Sequence, residues 1–134
     1  MTYDPIPSVW EGEDGALLER MLQFYPKTQP DMVLDATSNS KRFWRDSARP
    51  VVGLDIESRY RPEVLGTSVC LPFREDIFDV VVYDPPHIPN QGKDKQKDFN
   101  IRFGLGLRSS ADTNYNFSHT YRPFLEEAYR VLRP

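Results

Sequence analysis

Cysteine is nearly missing from this chain: Cys70 stands alone among 134 residues. One thiol makes neither a disulfide framework nor a cysteine-based zinc site, so no metal is expected and a reducing, cytoplasmic setting is. Long apolar runs are missing as well. The hydrophobic stretches fall far short of the ~20 residues that cross a bilayer, and no signal peptide precedes the first polar residues. A membrane partner is therefore not expected. The Gly-x-Gly-x-x-Gly fingerprint of dinucleotide sites is absent, which weighs against a hydride-transferring oxidoreductase. No single sign of charge dominates either, and a net charge of −3 offers no global argument for nucleic acid.

What is present is ordinary globular composition, 39% hydrophobic and 28% charged, without repeats or low-complexity tracts. Residues 1–134 read as one domain with room for a core. Ser8 and Glu11 have capping-box spacing, and Leu17, Leu18, Met21, Leu22 and Tyr25 recur at helical intervals, predicting a helix over 8–25. Met32-Val33-Leu34 predicts a first strand ending in Asp35-Ala36-Thr37. Lys41 to Asp46 then predicts a helix with Phe43 and Trp44 inward. Val51-Val52-Gly53-Leu54 predicts a second strand and Glu63 to Gly66 a short third one. Tyr121, Phe124, Leu125, Ala128, Val131 and Leu132 mark one face of a closing helix, with Pro123 in its first turn. Strands alternating with helices over short links predict an α/β fold with a doubly wound, mostly parallel, Rossmann-like sheet.

The most informative stretch is Phe78 to His87. Val80, Val81, Val82 and Tyr83 suit a central parallel strand covered on both faces. Asp84 stands at its end, where open α/β sheets place their ligand crevice. Pro85 and Pro86 lack N–H donors and hold the following loop stiff. Three predicted strands thus end in acids: Asp35, Asp55 and Asp84. Asp55 follows Asp35 by twenty residues, a spacing that fits a carboxylate accepting from ribose hydroxyls. Acids also cap turns, and each one alone has that second reading. From Ile88 to His119 no period emerges. Lys93, Lys95, Lys97, Arg102 and Arg108 oppose Asp94 and Asp98 there, a local excess of +3. That stretch is either a solvated loop of mixed charge or one that meets phosphates.

Val33-Leu34-Asp35-Ala36-Thr37, Val52-Gly53-Leu54-Asp55-Ile56, Leu71-Pro72-Phe73, Phe78 to His87 and Glu127 to Pro134 follow one another in an order that resembles class I S-adenosylmethionine-dependent methyltransferases. Asp84-Pro85-Pro86-His87 is similar to the (Asp/Asn/Ser)-Pro-Pro-aromatic motif of amino-methyltransferases that act on adenine N6 or cytosine N4 of DNA. The resemblance covers residues 31–134. The leading helix also looks like the segment before the first strand in small phage-type and prokaryotic DNA methylases.

The resemblance implies S-adenosylmethionine as cofactor, bound by a core over residues 31–87. Asp35, Ala36 and Thr37 would line its methionine end, Asp55 its ribose and Ile56 its adenine face. The Val69–Leu71 stretch, with Cys70 and Leu71, would lie near the adenine. Asp84 and the Pro85-Pro86 segment would take hydrogen bonds from an exocyclic amino group, and His87 would stack on or bond to a flipped base. Residues 88–119 would face the substrate, with Lys93, Lys95, Lys97 and Arg102 on phosphates and Tyr115 or Phe117 stacking. DNA is expected ahead of RNA, and adenine N6 ahead of cytosine N4.

Three departures qualify this expectation. The first loop, Thr37 to Arg42, has no glycine, although Asn39 tolerates the left-handed conformation such a turn requires. An acid often found after the third strand aligns near Thr67. The resembled fold has seven strands and only about four are legible here. That count predicts a copy lacking its C-terminal strands or a half-domain completed by a partner chain. A non-catalytic, methyltransferase-like binding module is the alternative reading.

Overall fold

A computed structural model describes residues 5–26, 28–85 and 120–134. Pro86, His87 and the expected substrate loop over 88–119, with Lys93, Lys95, Lys97, Arg102, Tyr115 and Phe117, lie outside the described residues. Val33–Asp35 (β1), Val51–Asp55 (β2), Val64–Leu65 (β3) and Val80–Val82 (β4) form one sheet in the order β3-β2-β1-β4. Every neighbouring pair is parallel. The helices Asp14–Phe24 (α1) and Arg122–Val131 (α2) complete an α/β arrangement. No helix among the described residues is long and apolar enough to cross a membrane.

Strand alternation sorts the two faces of the sheet. Leu34 lies in register with Val52 and Val81, and Leu54 with Val64. On this face Leu34 and Leu54 join Phe124, Ala128 and Val131 of α2, with Leu71 and Phe78, in the hydrophobic core. Asp35 and Gly53 are neighbours on the other face. There the indole of Trp44, from a 3₁₀ turn over Arg42–Trp44, reaches Asp35. α1 packs on that turn closely enough that a Cβ at Gly15 would lie 2.6 Å from the Phe43 carbonyl oxygen.

Four expectations change. The first helix begins at Asp14, not Ser8, because Trp10 folds back to donate to the Glu13 carbonyl at 3.2 Å and draws the preceding segment into a turn. The helix expected over 41–46 shrinks to the single 3₁₀ turn, since Lys41 has φ 56°, a left-handed conformation no α-helix includes. The strand covered on both faces is β1, whose three residues are all buried. β4 pairs among the described residues with β1 alone, and its valines are half-buried. A β-branched run reports strand propensity, not position in the sheet. Leu125, expected inward, is 59% exposed, and Tyr129 one turn later is 86% exposed. Phe124, Ala128 and Val131 make a narrower stripe than the pattern suggests.

The C-terminal segment is tied to the start of β4. Val131 O accepts the N–H groups of Ile77 and Phe78 at 2.9 and 3.0 Å, and Arg133 N–H donates to Phe78 O at 2.9 Å. Asp79 knots three segments. Its Oδ2 accepts Asp31 and Met32 N–H at 2.9 and 2.8 Å, and its Oδ1 accepts Arg133 Nη1 at 2.8 Å. The Met32 N–H above all, with Arg133 and Asp31, holds this carboxyl below the usual carboxylate range against the opposing effect of burial.

Two predictions follow from these contacts. Asp79 ionises near ~3.9 in the unfolded chain, so its contribution is complete above that value and fades as pH falls through the lower folded value. Asp79→Ala is expected to lose about 1–2 kcal/mol at pH 7, with the gap to wild type closing toward pH 2, as read by urea denaturation. Gly15→Ala gains helix propensity of about 1 kcal/mol, but the backbone oxygen in its path outweighs that gain. The expected net is a loss of about 1–2 kcal/mol and a lower urea midpoint.

Candidate functional site

The sheet changes direction between β1 and β4. From β1 the chain proceeds to β2 and β3 on one side, then crosses to β4 on the other. At such a switch point the connections leave in opposite directions and open a crevice beyond the strands' carboxyl ends. Ala36 N–H still donates to Val82 O at 2.9 Å, one step past β1. Beyond it, Asp84 N–H donates to the Thr37 hydroxyl at 2.8 Å.

Asp35 is buried beneath this junction. Its Oδ1 accepts Thr37 N–H at 3.1 Å and its Oδ2 accepts Trp44 Nε1–H at 2.7 Å. Burial raises its pKa, the Trp44 and Thr37 bonds pull it back, and the Asp84 and Asp55 carboxylates raise it further. The parallel register and the Asp84–Thr37 bond bring the ends of β1, β2 and β4 together here. Both oxygens of Asp35 are engaged by protein donors, so its carboxylate anchors the loop. Thr37 follows at the crevice, whereas Ala36, expected beside it, buries its side chain in the hydrophobic core.

The loop after β1 turns without glycine. Asn39 adopts φ 44°, as its residue type allows, and Lys41 φ 56°. Ser38 N–H donates to Leu54 O at 3.0 Å, and Lys41 N–H to Ser38 O at 2.7 Å. The glycine that permits this close fold sits on the neighbouring strand. A Cβ at Gly53 would lie 2.9 Å from Ser38 Cβ and 2.6 Å from Glu63 Oε2. The Glu63 carboxylate accepts Gly53 N–H at 2.9 Å and pairs with Lys41. Ser38 is 3% exposed, and its hydroxyl has no partner among the described residues.

Asp55 ends β2 with its oxygens turned to backbone donors, Asn39 N–H at 2.8 Å and Glu57 N–H at 2.9 Å. Each oxygen retains a further lone pair. Ile56, the next residue, is half exposed. Asp84, partly exposed, pairs with Arg42 at 3.4 Å, and the same guanidinium nitrogen reaches Asp14 at 3.2 Å. Pro85 is half-buried behind it. Cys70 is exposed and Leu71 buries its side chain in the core. Leu71 N–H donates to Glu127 Oε2 at 2.6 Å, and Leu71 O and Phe73 O accept the Arg130 guanidinium at 2.9 and 2.7 Å. The 71–73 turn is thereby strapped to α2.

Sequence reasoning missed three contributors. Trp44 is the donor to Asp35, Arg42 the cation beside Asp84, and Tyr83 stacks on Phe124 with centroids 3.6 Å apart and planes 15° from parallel. That stack fixes the residue before Asp84 to α2. Only Trp44 left a signal, since an inward indole requires an acceptor. Among the described residues no cluster of three His, Cys, Asp or Glu could hold a metal ion. What the crevice gathers is a set of oxygens, the carboxylates of Asp55 and Asp84 with the hydroxyl of Thr37, while the Ser38 hydroxyl is buried against Gly53. Such a set suits a ligand rich in hydroxyl and amino donors.

Trp44→Phe removes the neutral donor from Asp35 Oδ2. The Asp35 carboxyl should then titrate higher still by ¹³C NMR, and stability at pH 7 should fall by about 1–3 kcal/mol. An unchanged titration would show that the indole does not govern this acid. The chain matches no protein-family model, and the searches of curated proteins and of solved structures found no match to it.

Proposed function

We propose that this chain is a class I, Rossmann-like methyltransferase domain that uses S-adenosylmethionine to methylate an exocyclic amino nitrogen of a DNA base, adenine N6 ahead of cytosine N4. The observation that carries this reading is the placement of Asp35 and Asp55 at the ends of neighbouring parallel strands and of Asp84 just beyond β4, with its N–H on the Thr37 hydroxyl, around the β1/β4 switch point. The residues present fit the cofactor's chemistry. Asp55, half-buried at the end of β2, keeps a lone pair on each oxygen for ribose hydroxyls. Thr37 would line the methionine end and Ile56 the adenine, with Ala36 packed in the core behind Thr37. Bound there, the cofactor would supply a sulfonium methyl.

The chain's own residues act on the nucleophile. An exocyclic amino nitrogen attacks poorly because its lone pair is delocalised into the ring. Asp84 accepts one amino hydrogen and the Pro85 carbonyl the other, which localises the pair toward the methyl. Rate comes from this orientation and from the fixed acceptors, so Asp84 works as a hydrogen-bond acceptor rather than a strong base. His87 would stack on the flipped base, and Lys93, Lys95, Lys97 and Arg102 would neutralise phosphates.

One observation favours a non-catalytic binding module instead. Asp35 and Asp55 already satisfy backbone and indole donors, and Asp84 has Arg42 beside it. Two measurements decide between the readings. Calorimetry with S-adenosylhomocysteine is expected to show micromolar binding; none would remove the methyltransferase reading. Tritium transfer from labelled cofactor to unmethylated duplex DNA is expected to fall at least ~100-fold in Asp84→Ala. Cofactor binding with equal incorporation by both proteins would strip Asp84 of its role. Binding without incorporation by either would favour the module.

A further inference from the structure

One bond in the crevice belongs neither to the sheet ladder nor to ligand recognition. Around β1 and β4 the pairing is main chain to main chain, through Ala36 N–H and Val82 O. At the next step a side chain takes over, and the Thr37 hydroxyl accepts Asp84 N–H at 2.8 Å in a partly buried position. Thr37 is itself fixed, because its N–H is held by Asp35 Oδ1 at 3.1 Å and that carboxylate is buried. A hydroxyl accepts and donates at once. Having accepted from Asp84, Thr37 keeps its own O–H, which donates to no described residue. The same loop reaches the Asp84 side chain through Arg42 at 3.4 Å. Main chain and carboxylate of Asp84 are therefore both tied to residues 37–42.

We propose that Thr37 is a positioning residue whose hydroxyl couples ligand occupancy on the cofactor side of the crevice to the placement of Asp84. The inference rests on the methyltransferase reading and deepens it. A ligand acceptor drawing the Thr37 O–H strengthens and orients the bond that oxygen receives from Asp84 N–H. The acid is then set before the amino substrate arrives, and by reciprocity a substrate on Asp84 tightens the cofactor.

The test uses the ¹⁵N-labelled full chain, titrated with S-adenosylhomocysteine, as wild type, Thr37→Ser and Thr37→Val. The serine keeps the hydroxyl, and the valine keeps the shape without it. In wild type and Thr37→Ser the Asp84 amide resonance should shift on saturation; in Thr37→Val, titrated until calorimetry shows it equally saturated, that shift should vanish. In the free protein, Asp84 amide exchange should be roughly fivefold faster in Thr37→Val than in Thr37→Ser, the factor expected for one neutral hydrogen bond. Binding by all three proteins with an equal Asp84 shift in Thr37→Val overturns the coupling and leaves the methyltransferase reading standing. A wild-type protein that does not bind S-adenosylhomocysteine overturns both. A Thr37→Val variant that fails to fold shows collapsed amide dispersion, and Thr37→Ala against Thr37→Ser then decides on the same two readouts.

Discussion

Burying the Asp35 carboxylate is the constraint on which this structure turns. A charge taken out of water is costly unless donors replace the lost hydration, and here two do so, the Thr37 N–H and the Trp44 indole. Satisfying that one side chain dictates a good deal of the surroundings. The loop must double back over β1 to present the Thr37 N–H. The 3₁₀ turn must place Trp44 beneath the sheet, and α1 must then settle on that turn, close enough to require glycine at position 15. The fold on this face is organised by a polar group, whereas the opposite face is held by apolar burial of Leu34, Leu54, Phe124, Ala128 and Val131.

The second support comes from α2. Arg130 grips two carbonyls of the 71–73 turn while Glu127 takes the Leu71 N–H, and the helix end meets Phe78 through main-chain bonds. The guanidinium fork suits this task because its planar donors meet two carbonyls and a carboxylate at once. Tyr83 then stacks on Phe124, so the residue preceding Asp84 is fastened to the helix while Asp84 itself is fastened to the first loop. The acid at the mouth of the crevice is held from both sides. In the proposed methyl transfer, a carboxylate orienting a weak nucleophile would need such restraint, because small misplacements erode the gain from positioning.

Much of the fold was legible from residue pattern. Four strands, two of them ending in an acid and one with an acid two residues beyond it, and a closing helix with Pro123 in its first turn are local matters of propensity and periodicity. The positive φ at Asn39 was also legible from its side chain. Position within the sheet was not. The Val80–Val82 run looks like a central strand and stands beside β1 alone among the described strands, because β-branching records backbone preference and not neighbours. The start of α1 was misread for a similar reason. Capping-box spacing at Ser8 and Glu11 competes with the Trp10 indole, whose acceptor at Glu13 becomes available only once the turn has formed.

The sequence by itself determined which residues could bear chemistry: acids at strand ends, a stiff diprolyl loop and a first loop without glycine. Residue type and local spacing suffice for those. Only the tertiary structure decided how those acids divide their work. Asp35 is engaged as an anchor, Asp55 keeps lone pairs toward the crevice, and Asp84 answers to Thr37 and Arg42. The close approach that a loop glycine usually permits is provided by Gly53 on the neighbouring strand. These are contacts between segments distant in sequence, created when parallel strands bring their carboxyl ends together, and no local pattern encodes them.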